Sequence, residues 1–106
     1  MRYLMLSKMQ DTQPDEKLFA DMAAFIEEMT ASGVLLATGG LDPAGFKIES
    51  SGDDVTITDG PFTEAKEAIG GFALVEVRSR DEAIELGRRF RKIVGDGESV
   101  IHQVFG

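Results

Sequence analysis

The chain has 106 residues, of which 42% are hydrophobic, with 19 acidic and 11 basic side chains and no cysteine. That is enough chain and apolar content for one domain with a core, and too little for two. A formal net charge of −8 repels a phosphate backbone, and the missing thiols rule out disulfides, thiolate metal sites and a cysteine nucleophile.

The opening MRYLMLSKMQ has too short an apolar run for a signal peptide, and no stretch approaches the roughly 20 apolar residues of a membrane span. A cytoplasmic protein with no membrane contact is the expectation. The densest basic run is Arg88, Arg89, Arg91 and Lys92, with Glu82 and Glu85 one or two turns away. It reads as a solvated helix face whose cations suit a C-terminal end, and nucleic-acid binding is not expected.

In chain order, residues 2–9 read as a first strand in which Tyr3, Met5 and Ser7 alternate with Leu4 and Leu6. Pro14 suits the first turn of a helix over about 14–31. Leu18, Met22, Phe25 and Met29 form its apolar stripe, Phe19 and Ile26 widen it, and Gly33 ends it. Residues 34–38 read as a second strand broken by Gly39 and Gly40. Residues 46–50 and 54–58 form a hairpin across Ser51, Gly52 and Asp53, with Val55 and Ile57 alternating with threonines. Asp59-Gly60-Pro61 is turn chemistry. Residues 72–78 are a fifth strand, Gly70 and Gly71 before it permitting a bulge or a close backbone approach. Ser79 and Glu82 then form a capping box opening a second helix. Ala83, Leu86, Phe90 and Ile93 give that helix its apolar side, Gly95 and Gly97 end it, and residues 99–105 are a final strand.

The order β-α-β-(ββ)-β-α-β predicts an α+β, ferredoxin-like sandwich: an antiparallel sheet with two helices on one face, over residues 1–106 as a single domain. The fifth strand offers Phe72 and Leu74 to one face and Ala73, Val75 and Val77 to the other. Helices cover only one of them. Soluble monomers avoid a large wetted apolar face, so a homodimer is expected to bury the other.

The string Asp59-Gly60-Pro61-Phe62-Thr63-Glu64-Ala65-Lys66-Glu67, followed by Gly70-Gly71-Phe72, resembles the DGPF motif of the YCII-related proteins. Arg2-Tyr3-Leu4-Met5-Leu6, Gly33-Val34-Leu35 ahead of Gly39-Gly40-Leu41, and Ser79-Arg80-Asp81-Glu82-Ala83 fit as well. The resemblance spans nearly the whole chain. It implies a dimeric α/β barrel, in which two ferredoxin-like sheets face one another. Relatives in that superfamily include muconolactone isomerases, dehalogenating enzymes and small monooxygenases. Some DGPF proteins are encoded beside extracytoplasmic-function sigma factors, which implies a regulatory association. The first helix here has no histidine, so the His–Asp pair discussed for the YCII branch does not carry over. His102 stands where DGPF relatives commonly place arginine. A cationic role there becomes pH-dependent, because imidazoles titrate near neutrality.

Asp59, Glu64 and Glu67 with Lys66 put three carboxylates and an ammonium into nine residues. Asp59 or Glu64 would serve as a base and Lys66 as an electrophilic donor, for isomerisation or elimination on a small lactone or enol. The structural alternative is that Asp59 closes a turn and Glu64 pairs with Lys66 at the surface. Phe62 packs in the core or lines a pocket. His102 is a core histidine or an acid/base facing the other subunit. Met5, Gly39, Gly60, Phe62 and Glu67 complete the expected ligand pocket. Gly39-Gly40 reads as a strand-ending bend or an anion nest. No cofactor and no metal site are expected.

Two functions follow. One is a small-molecule-binding homodimer, a cofactor-free isomerase or lyase, with the DGPF segment and His102 lining an inter-sheet cavity. The other is a non-catalytic module binding a ligand or a protein, with a regulatory role. The first expects Asp59 or Glu64 and His102 to point into a closed apolar pocket. The second expects an exposed patch elsewhere.

Overall fold

Eight elements follow in the computed structural model, which describes residues 1–8, 15–60 and 68–106. They are β1 (Arg2–Lys8), α1 (Glu16–Ala31), β2 (Leu35–Gly40), β3 (Phe46–Ser51), β4 (Asp54–Asp59), β5 (Ile69–Glu76), α2 (Arg80–Val94) and β6 (Ser99–Val104). Four strands form one sheet in the order β2-β5-β1-β6, every neighbouring pair antiparallel. This is the ferredoxin-like arrangement that the order of elements predicts: each helix leads to a strand one place removed, so another strand is inserted between.

Helix α1 starts later than Pro14 implies. The Asp15 carboxylate accepts from the Leu18 backbone N–H at 2.8 Å and makes Asp15 the cap, while Pro14 lies outside the described residues. At the other end Val34 N–H donates to the Met29 carbonyl and Gly33 N–H to that of Thr30. That pair of bonds requires Gly33 at a φ of 79°, where a side chain would be strained. Leu18, Met22, Phe25, Ile26 and Met29 face inward to different degrees, but Phe19 is 64% exposed, so the stripe is narrower than the spacing implied. In α2 Ser79 accepts from the Glu82 N–H at 3.1 Å. The return bond of the box goes to the Arg78 N–H, at 3.5 Å.

The glycine pairs do not break the sheet. Gly39 and Gly40 stay in β2, opposite Phe72 and Gly71. A Cβ on Gly39 would come within 3.0 Å of the Phe72 ring, so the missing side chain is the seat of that ring. Neither the strand-ending bend nor the anion nest describes them. Lys8 pairs with Ile69 and Ser7 with Gly71, so Gly70 is the extra residue of a bulge, and β5 begins three residues earlier than expected.

Register assigns the two faces. Tyr3, Met5 and Val75 point toward the helices and share one core with Met29, Ala83, Leu86 and Val77. Leu4, Leu6, Leu74 and Phe72, with Val100, His102 and Val104, point the other way. Among the described residues, the protein's own elements leave this second face open. The β3–β4 hairpin forms a separate two-stranded sheet. Phe46, Ile48, Val55 and Ile57 share its apolar face and are 59–67% exposed. The radius of gyration is 15.9 Å, against about 13 Å for a compact domain of this length, as an extended arm would produce.

Ion pairs tie the layers together at the surface. Arg89 on α2 meets Glu28 on α1 at 2.7 Å, and its guanidinium lies 4.9 Å from the centre of the Phe25 ring. Lys8 meets Glu98 at 2.7 Å. The bonds from Arg89 and from Lys8 hold the Glu28 and Glu98 carboxyls below their ordinary value of 4.5. Folded values below unfolded ones mean that the stabilisation is fully present above about pH 4.5 and is lost as the pH falls through the lower folded values. In acid titrations followed by circular dichroism, Glu28→Gln with Glu98→Gln is expected to flatten the dependence below pH 4.5 and to leave the neutral baseline nearly unchanged.

Candidate functional site

The helices do not press flat onto the sheet. Between them and the sheet lies a cavity of about 250 Å³. Its roof is Met22, Phe25, Ile26 and Met29 from α1 with Leu86 and Phe90 from α2. Its floor is Met5 and Ser7 of β1, Leu35 and Thr38 of β2, Ala73 and Val75 of β5, and the backbones of Gly39, Gly40, Gly70 and Gly71. The glycines leave the floor low where two strands meet, and three methionines give the walls an adaptable lining. Arg89, bridging to Glu28 and lying over Phe25, pins the two helices across the top.

Among the described lining residues only Ser7 and Thr38 carry polar side chains. The Thr38 hydroxyl donates to the Phe72 carbonyl at 2.9 Å. The Ser7 and Ser99 hydroxyls lie 2.9 Å apart, and Arg91 Nη1 donates to Ser99 Oγ at 3.3 Å. An engineered apolar cavity of about 150 Å³ takes up benzene. A volume of about 250 Å³ therefore accommodates one substituted six-membered ring.

Met5 and Gly39, expected from sequence in a pocket between two sheets, border this helix–sheet cavity instead. His102 does not border it and lies on the face where the sequence placed an acid/base turned toward the other subunit. It is exposed on the open face of the sheet, opposite Leu4 and on the other side from the cavity, because strand alternation sends it outward with Val100 and Val104. Asp59 ends β4 on the apolar side of the hairpin, across from Phe46, and is exposed. The Gly60 N–H donates to the Gly45 carbonyl at 2.7 Å and closes that end of the arm. Neither Asp59 nor Gly60 borders the cavity. Phe62, Glu64, Lys66 and Glu67 lie outside the described residues. Among the described residues no three His, Asp or Glu side chains gather where they could hold a metal ion, and no helix is long and apolar enough to cross a membrane.

Ser7 and Thr38 were not anticipated. Their signal was present: each is a lone hydroxyl at the helix-facing phase of an otherwise apolar strand.

The fold and the cavity together define a ferredoxin-like α+β domain with an apolar chamber between helices and sheet. The chain belongs to the YCII-related domain family, whose model matches residues 1–100. It is 32% identical over 78 residues to an uncharacterized protein of Rhizobium meliloti (strain 1021), a match covering 72% of this chain and 63% of that relative's length. Among solved structures it resembles the 5-chloro-2-hydroxyhydroquinone dehydrochlorinase TftG from Burkholderia phenoliruptrix AC1100, in complex with 2,5-dihydroxybenzoquinone. The TM-score is 0.57 at 18% identity, over 99% of this chain and 94% of that one. At that identity the likeness establishes the fold.

Proposed function

We propose that the chain binds a small, largely apolar ring-shaped molecule in the helix–sheet cavity, as one subunit of a homodimer that covers the open sheet face. The observation that carries this is the cavity itself: ring-sized, lined by aromatic and methionine side chains, with two hydroxyls as its side-chain polarity among the described residues. A solved neighbour of the same fold holds a six-membered quinone, which is the size of molecule that this cavity takes. The described lining brings hydrocarbon, sulfur and hydroxyl groups and no carboxylate or imidazole. Binding is therefore the reading these side chains favour over isomerase or lyase chemistry drawn from Asp59 and His102.

The dimer rests on separate ground. Leu4, Leu6, Phe72, Leu74, Val100 and Val104 form one apolar band on the open face, and an isolated hairpin with a wet apolar side is marginal in water. A second copy covers both.

Calorimetric titration with toluene and with phenol tests the binding. Wild type is expected to take up both in the sub-millimolar range. Ala73→Phe, which sends a ring from the floor into the chamber, is expected to weaken both by about tenfold or more while the protein stays folded. Equal affinity in the two proteins would place the ligand elsewhere.

A further inference from the structure

We propose that Ser7 is the hydrogen-bond donor that orients the bound ring, with Arg91 polarising it through Ser99, so that the cavity selects rings bearing a carbonyl oxygen. This rests on the cavity being the ligand site.

The two hydroxyls on the floor are not equivalent. Thr38 spends its proton on the Phe72 carbonyl and offers the cavity only a lone pair. Ser7 belongs to a chain that begins at a cation. Arg91 sits in the last turn of α2, where Nη2 donates to the Gly95 carbonyl at 2.7 Å and Nη1 to Ser99 at 3.3 Å. Its guanidinium also lies 5.5 Å from the centre of the Phe90 ring. A guanidinium has donors only, so it occupies a lone pair of Ser99. That bond makes the Ser99 O–H the stronger donor of the serine pair and directs it to Ser7 Oγ, 2.9 Å away across the β1–β6 ladder. The Ser7 proton is then free, and Ser7 borders the cavity. The apolar chamber thus carries an O–H backed by a positive charge two hydrogen bonds away.

A single donor in apolar surroundings discriminates strongly, because a ligand that leaves it unpaired forfeits the bond without recovering water. Ser7 touches the ligand, whereas Ser99 and Arg91 act through it as positioning residues.

Acetophenone and α-methylstyrene have nearly the same shape and differ in C=O against C=CH2. In calorimetric titrations, Ser7→Ala is expected to weaken acetophenone by about tenfold and to leave α-methylstyrene unchanged or tighter. Ser7→Thr should restore acetophenone binding. Arg91→Met and Ser99→Ala should each lower acetophenone affinity part of the way without affecting the alkene, a selectivity that a merely structural role would not produce. If wild type binds both compounds and Ser7→Ala weakens them equally, or neither, the proposal is overturned. If wild type binds neither, the cavity reading itself fails and takes the proposal with it.

Discussion

Replacing Leu74 with glutamate is expected to convert a dimer into separate subunits. Leu74 lies on β5 in the middle of the open face, between Leu4 of β1 and Ala37 of β2. Its side chain is only half-buried within one subunit, so the domain tolerates the change. In a two-fold dimer the same substitution places two carboxylates in a largely apolar contact. Each unpaired buried charge costs several kcal/mol. A total of about 4 kcal/mol or more corresponds to a loss of about a thousandfold in association. Sedimentation velocity at micromolar protein should show the wild type as a dimer and the variant as a monomer with an unchanged circular dichroism spectrum. Thr56→Glu, on the polar side of the hairpin, should remain dimeric. A wild type that sediments as a single subunit would remove the dimer.

The second large effect is expected at Leu86. It is buried on α2 within the core and borders the cavity. Leu86→Ala removes three carbons and their contacts. The sheet below is held by backbone ladders on both sides of β1 and β5, so the floor does not rise to fill the space. The cost is the transfer term plus most of the cavity term, about 2–4 kcal/mol, read as a lower midpoint in urea at unchanged slope. The enlarged chamber should also admit bulkier rings: naphthalene is expected to bind the variant more tightly than wild type. A midpoint shift under about 1 kcal/mol would mean that the roof settles onto the floor and that the chamber is not held open by the fold.

Much of the fold was legible because the periodicities were unambiguous. The alternation Tyr3, Leu4, Met5, Leu6 and that of Phe72 through Val75 correctly put apolar residues on both faces, and Ser79 and Gly33 marked helix ends by capping chemistry that depends on few neighbours. Gly39-Gly40 was misread because glycine's local preference is to end strands, whereas Gly70-Gly71 makes the bulge its position implied. What keeps Gly39 in β2 is a ring from a strand far away in sequence, which no local pattern reveals. Phe19 was overcounted because helical spacing does not say where the sheet beneath a helix stops. The site was legible least. Charge density drew attention to Asp59 and the family resemblance to His102, yet the cavity arises from the distance between two layers. A gap between layers leaves no mark in either one's sequence except the unexplained hydroxyls of Ser7 and Thr38.

Methyl NMR reports whether the chamber between helices and sheet receives the ligand. Met5, Met22 and Met29 line the chamber, whereas Met1 is exposed and does not border it. With the methionine methyl groups labelled with carbon-13, titration with toluene is predicted to shift Met5, Met22 and Met29 together by ring current, with Met1 unmoved. Saturating toluene that leaves those three methyls in place would contradict binding in the chamber.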